Sequence, residues 1–181
     1  FPERGKIEER GFFLFGDGEK NAEFSSPDAI YVSLARKSVD ATLPVGGTVP
    51  ATLSLTLGAP ATFGAFTPGV GQDYFASTTA TVTSSAGDAT LSVSDPSSTA
   101  TGHLVNGSFS LPQPLQAAGT TAGPYAPVGG SSAPTTLKTW NGPTSNDVST
   151  IGFKQTIGEQ DALRTGSYAK TLTFTLSTTN P

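Results

Sequence analysis

The sequence predicts an all-β chain, an antiparallel β-sandwich preceded by an extended N-terminal arm, and three observations predict it. Apolar and polar residues alternate with period two in several short runs, each bounded by Gly, Pro, Ser and Thr. No long stretch sustains a helical period. Charge breaks sharply along the chain: residues 1–40 hold fourteen of the twenty-four Asp, Glu, Lys and Arg residues, and residues 41–181 hold ten. The break separates a charged arm over residues 1–45, or the remnant of a preceding domain, from a weakly charged sandwich domain over residues 46–181.

In the arm, Phe12, Phe13, Leu14 and Phe15 form an apolar knot bracketed by Gly11 and Gly16, which reads as a short strand or a buried plug. Asp17–Asn21 is a turn signal. Within Ala29–Leu34, Ile30, Val32 and Leu34 share one parity and Tyr31 and Ser33 the other, the alternation of a strand. Pro44 and Pro50, with Gly46 and Gly47 between them, mark a linker or a crossing between sheets.

The body repeats the alternation. Leu53, Leu55 and Leu57 face one way, with Thr52, Ser54 and Thr56 opposite, as a half-solvated antiparallel sheet requires. Further strands are expected over 78–83, 89–94, 103–111 (Val105, Phe109 and Leu111 on one parity) and 149–157 (Ile151, Phe153 and Ile157). The clearest runs over 168–176, where Tyr168, Leu172, Phe174 and Leu176 oppose Ala169, Thr171, Thr173 and Thr175. Residues 112–134 are rich in Pro and Gly and read as a long crossing loop or a flexible surface excursion that cannot be a central strand. Residues 157–163 are the one place where a helical turn is expected.

Composition excludes several classes. With no Cys there is no disulfide framework and no thiolate metal site. Net charge is −4 and charged residues are 13% of the chain, with no basic stripe, which argues against nucleic acid. No apolar run approaches a membrane span. The chain opens Phe1-Pro-Glu-Arg with no signal peptide and contains no Met, so a processed mature chain or a piece of a longer one is expected. Low charge, absent Cys and abundant Thr, Ser and Gly suggest an exported bacterial protein, extracellular or at the cell surface.

The runs 49–57, Phe63-Gly-Ala-Phe66 and 76–82, with the ending 153–157, 161–166 and 170–176, resemble a C-terminal Ig-like β-sandwich accessory module of secreted bacterial proteins. The closing strand is similar to that of WxL-type cell-surface domains, although the Trp-x-Leu motif is absent. The resemblance covers about residues 47–181 and leaves out the arm. It implies a structural, adhesive or spacing role with no shared catalytic set.

Candidate chemistry is sparse, and no catalytic residue, cofactor or metal site is expected. His103 is the only His, and a Ser-His-Asp triad needs one, but no Gly-x-Ser-x-Gly elbow accompanies it; a solvent-facing His on a strand edge is expected. Asp73, Asp88, Asp95, Asp147, Glu159 and Asp161 stand beside turn-type residues, where Asp binds nearby backbone amides. Asp17, Glu19 and Asn21 alternate as in part of a calcium loop, without its Gly at position six and its closing Glu. Asn106-Gly-Ser108 is a formal glycosylation sequon, and the Thr- and Pro-rich stretches have the composition of O-linked attachment sites. Trp140 and Tyr125, in loop-like text with Tyr74, are candidates for stacking on sugar rings, against a plainer reading of Trp140 as a cap on the core. Lys154 and Lys170 fall within predicted strands, Lys170 on the parity of Tyr168, Leu172, Phe174 and Leu176. Buried Lys is rare unless paired or reacted, so a Lys–Asn crosslink with loss of ammonia is considered for them.

The function expected is therefore connection: an extracellular structural or filament subunit, with Phe12, Phe13, Leu14, Phe15, Ile30, Val32 and Leu34 joining a neighbouring copy or domain by strand addition. The alternatives are a polysaccharide-binding or spacer module of a secreted enzyme, read from Trp140 and Tyr125, and a virion decoration protein.

Overall fold

A computed structural model describes residues 41–179. The candidate assembly residues Phe12, Phe13, Leu14, Phe15, Ile30, Val32 and Leu34, and the turn at 17–21, lie outside the described residues. The boundary of the sandwich unit falls between Gly47 and Thr48.

Among the described residues there is no helix, and ten strands build the body: β1 Leu53–Leu57, β2 Gln72–Ser84, β3 Ala89–Ser94, β4 Val105–Asn106, β5 Phe109–Ser110, β6 Gln116–Ala118, β7 Ala126–Pro127, β8 Thr135–Trp140, β9 Thr144–Ile157 and β10 Thr173–Ser177. One sheet has five strands in the order β1-β2-β9-β6-β7, a second has three in the order β10-β3-β8, and β4 and β5 form a separate hairpin. Every pairing between named strands is antiparallel. The all-β sandwich expected from the alternation is what the chain forms.

The spine is the β2–β9 ladder, which runs in register from Gln72 opposite Ile157 to Ser84 opposite Thr144, with one irregularity between Val82 and Ser84. Its inner face supplies Tyr74, Ala80, Val82, Ile151, Phe153 and Ile157. Leu91 and Val93 of β3 face them, and Phe174 of β10 meets Phe153 edge to face at 6.5 Å between ring centroids. Between β1 and β2, Phe63 and Phe66 close the end of this core. Phe66 meets the Tyr74 ring edge-on at 4.9 Å, and the Thr67 N–H donates to the Tyr74 hydroxyl at 2.7 Å.

Several expectations need correction. The run over 103–111 is a hairpin, because Gly107 takes φ 60° at the first position of a two-residue turn, which only a primed turn with Gly accommodates readily. Phe109 consequently points outward, 45% exposed. The Pro-rich segment 112–134 is no loop excursion, since it contributes β6, which is flanked on both sides, and β7 at the edge, where Pro127 pairs with Gln116 on one side and no described strand on the other requires its N–H. Residues 158–161 form a turn closed by Asp161 N–H to the Gly158 carbonyl, with no helical turn. Finally, β2 and β9 extend well beyond the expected 78–83 and 149–157.

Ile151 is fully buried at the centre of the spine. Ile151→Ala is expected to lower unfolding free energy by about 2–5 kcal/mol, read from urea titration. A change near zero would remove this residue from the core.

Candidate functional site

β3 is bracketed by two carboxylates that hold β10 at both ends. Asp95 follows β3 on the inward parity of Leu91 and Val93 and is almost fully buried. One of its oxygens accepts the Ser97 N–H at 2.9 Å, and the other accepts the Gly102 N–H at 2.7 Å. Lys170 Nζ stands 3.0 Å from that second oxygen and donates to the carbonyls of Thr99 and Ala100 at 2.9 and 3.2 Å. Gly102 is required in this loop: its φ is 74°, and a Cβ there would run into the Val128 carbonyl. Next to Lys170, Ala169 bridges Val105 of the hairpin. At the other end, Asp88 accepts hydrogen bonds from the Thr178 hydroxyl at 2.6 Å, the Thr179 N–H at 3.0 Å and the Thr179 hydroxyl. Asp95 does cap its own loop, as expected of a turn carboxylate, but both it and Asp88 also latch a strand more than seventy residues away.

Burial opposes ionisation of Asp95, yet the Ser97 and Gly102 amides and the Lys170 ammonium outweigh it and hold its carboxyl below the usual value. The parity that singled out Lys170 thus reports a buried ion pair. Its partner is a carboxylate, and the partner of Lys154 is Asp73 at 3.6 Å; the Lys–Asn crosslink finds no support in these pairs.

A second inward charge was missed from the sequence. The β3–β8 register shifts between Leu91 and Ser92, leaving Leu137 unmatched and setting Lys138 opposite Leu91. Lys138 Nζ therefore reaches across to β9, 2.6 Å from Asp147 and 2.8 Å from the Ser149 hydroxyl. Trp140 ends β8 instead of lying in a loop, and its indole N–H donates to the same Asp147 oxygen at 2.6 Å. These two bonds, the Lys138 bond first, hold the Asp147 carboxyl below its usual value against the opposing effect of burial.

The remaining candidates are placed as follows. His103 sits in a turn, half-buried, with Nδ1–H donating to the Leu111 carbonyl at 2.8 Å, instead of facing solvent on a strand edge. Asp161 accepts the Gly158 N–H, and Asp73 accepts the Thr156 hydroxyl across the β2–β9 ladder. Asn106 Nδ2 donates to the Thr165 carbonyl. Among the described residues no three His, Asp or Glu side chains gather as a metal-holding group. Gln155, wholly buried in β9, was not singled out either; its amide N–H groups reach the Gln113 and Thr156 carbonyls.

The structure does not bring Trp140 and Tyr125 together. Tyr125 closes a loop over Gly152, its hydroxyl donating to the Thr121 carbonyl at 2.7 Å, and a Cβ at position 152 would lie 2.8 Å from that hydroxyl. Tyr74 is in the core. The aromatic beside Tyr125 is Phe75 of β2, 57% exposed with ring centroids 5.9 Å apart, and Lys154 stands 5.9 Å from the Tyr125 ring. A groove of about 550 Å³ between β6, β8 and β9 has Lys138 as its only ionisable lining residue, and that group is engaged by Asp147.

One feature of the body is incomplete. The three-stranded sheet is narrower than the five-stranded sheet it covers, with β8 lying across from β6 and β10 across from β1. Leu53, Leu55 and Leu57 stand opposite Ser84, Val82 and Ala80, which are all buried inward residues. Even so, Leu53 and Leu57 are 44% and 43% exposed. Among the described residues both strands at this seam, β1 and β10, are sheet edges. Neither contains a Pro, a charge or a bulge, the usual protections against pairing with another chain. The other edges carry such protections: β7 is two residues long and ends in Pro127, and β8 has a bulge and the inward Lys138.

No protein-family model, no curated protein and no solved structure matches this chain.

Removing one member of a buried pair strands the other. Lys170→Met should cost about 3–5 kcal/mol at pH 7. Because the folded Asp95 carboxyl titrates below its unfolded value of 3.8, its contribution is complete above that value and lost as pH falls through the lower folded one. The cost of Lys170→Met should therefore shrink when urea titrations are carried from pH 7 to well below 3.8. An equal cost at both pH values would contradict an ionised pair.

Proposed function

We propose that this chain is a non-catalytic extracellular structural protein, a surface or filament subunit linked through its N-terminal arm by strand addition. The observation that supports this reading is the seam: two unprotected sheet edges beside leucines that the protein's own second sheet leaves uncovered. Strand addition supplies what such a seam lacks, a backbone ladder and apolar cover. The ionisable groups of the body also fit a structural role, since Asp73, Asp88, Asp95, Asp147 and Asp161 are each engaged in holding strands or turns together. The low charge and the absence of Cys accord with an exported protein, and the resemblance to Ig-like accessory modules with a surface role. A head-to-tail contact of this kind does not close on itself and propagates a filament.

Sedimentation of the intact chain and of a 41–181 truncation tests the reading. The intact chain is expected to associate in a concentration-dependent way, while the truncation, which retains the whole described core, stays monomeric. Two indifferent monomers would end the assembly reading.

A second reading, a polysaccharide-binding module, is favoured by Phe75, whose exposed ring sits beside Tyr125 with Lys154 and Asp73 adjacent. Aromatic faces with polar neighbours suit sugar rings. Under this reading, pull-down on insoluble polysaccharide is lost in Phe75→Ala and kept in Trp140→Phe. Absence of binding by the unaltered chain removes it.

A further inference from the structure

The seam has a defined geometry for an incoming strand, and its two sides offer different things. A strand laid along the free edge of β1 would widen the sheet that is already wider and leave Leu53 and Leu57 uncovered. A strand laid along the free edge of β10 would widen the narrower sheet and place its inward side chains over those leucines. The β10 edge is also the better-held one. The Asp95–Lys170 pair fixes the chain just before it and the Asp88–Thr178 and Asp88–Thr179 bonds fix the chain just after it, so the backbone groups on its outer side, which no described strand pairs, are presented in an ordered row.

Resting on the assembly reading above, we propose that the acceptor site is the β10 edge roofed by Leu53 and Leu57, and that the occupant is Ala29–Leu34 of a second copy of this chain. The apolar spacing matches. Ile30, Val32 and Leu34 repeat at every second residue, as Leu53, Leu55 and Leu57 do, so three inward side chains meet three. Length matches too: at the usual rise per strand residue, six donor residues span about 20 Å and the five of β10 about 17 Å. Tyr31 and Ser33 would then face outward, continuing the Thr173, Thr175 and Ser177 face of β10. The apolar knot Phe12–Phe15 lacks this alternation and does not fit a site with one buried face. Eighteen residues separate Leu34 from Leu53, including Gly46 and Gly47, and residues 41–52 are exposed throughout. Leu53 and Leu57 are left 44% and 43% exposed by the described residues, and under the assembly reading the donor is a neighbouring copy.

Because the chain has no Cys, single thiols report this contact without interference. Full-length Val32→Cys is mixed with full-length Leu57→Cys, or with full-length Thr139→Cys on the protected β8 edge, and oxidised. A docked strand holds the first pair of thiols at a millimolar effective concentration, so its mixed disulfide dimer should exceed the Thr139→Cys yield by about tenfold or more. Sedimentation of the same samples before oxidation reports whether they assemble. Equal yields in samples that do assemble would overturn the β10 site and leave assembly through some other edge standing. Samples that do not assemble at all would overturn the assembly reading itself. A Val32→Cys/Leu57→Cys double variant that closes only within its own chain at every concentration would overturn the second copy as donor.

Discussion

β10 is the element on which the rest of this structure turns, and the Asp95–Lys170 ion pair is the interaction that sets it in place. A charge pair in a protein interior gains little over apolar residues of the same size, since desolvation offsets most of the attraction. What it provides here is position. Asp95 accepts two backbone amides and an ammonium, and Lys170 bonds two carbonyls besides the carboxylate, so the loop after β3 and the segment before β10 can meet in one arrangement only. Asp88 repeats the device at the opposite end of β3. The closing strand of the sandwich is thereby fixed without a disulfide, in a chain that has no Cys to make one.

The same interactions explain how an open edge persists. A free edge strand frays unless something other than a second neighbour holds it. Among the described residues β10 has a strand neighbour on one side only, β3, and it has carboxylate latches at each end. The Lys138–Asp147–Trp140 cluster performs the matching task on the far side of the narrow sheet, joining β8 to β9 across the sandwich. There the inward Lys and the bulge also discourage pairing. One edge of the narrow sheet thus carries a bulge and an inward Lys and the other carries neither, an asymmetry that would suit the head-to-tail contact proposed above.

Much of this was legible in the sequence, and the failures have physical causes. Alternation located β1, β3 and β10 because Leu, Val and Phe there oppose Thr and Ser. It undersized β2 and β9, because the missed stretches 72–77 and 144–148 break the period: Phe75 and Val148 are apolar but exposed, while Asp147 sits on the inward parity opposite Val82. The parity of Lys170 correctly marked it as inward, but its partner lay beyond reach of local reading, because pairing Asp95 with Lys170 depends on the β3–β10 register. Lys138 was invisible for a related reason: only the slip at Leu137 turns it inward. Phe75 was overlooked as one apolar residue among Asp, Tyr and Ala, and only the fold shows it on an outer face beside Tyr125. The arm stood out by charge and apolar spacing alone, and the seam that would receive it emerges only when two sheets of unequal width are laid together.

The most direct test of this account is backbone amide exchange along Thr173–Ser177, compared between the full-length chain under assembling conditions and the 41–181 truncation. Amides on the free side of β10 are solvent-facing in the truncation and should exchange quickly there. If the β10 edge receives a donor strand, those same amides become protected in the full-length chain while the β3-facing amides change little. Equal exchange of the free-side amides in an assembled full-length sample would contradict the central claim that this edge is the point of connection.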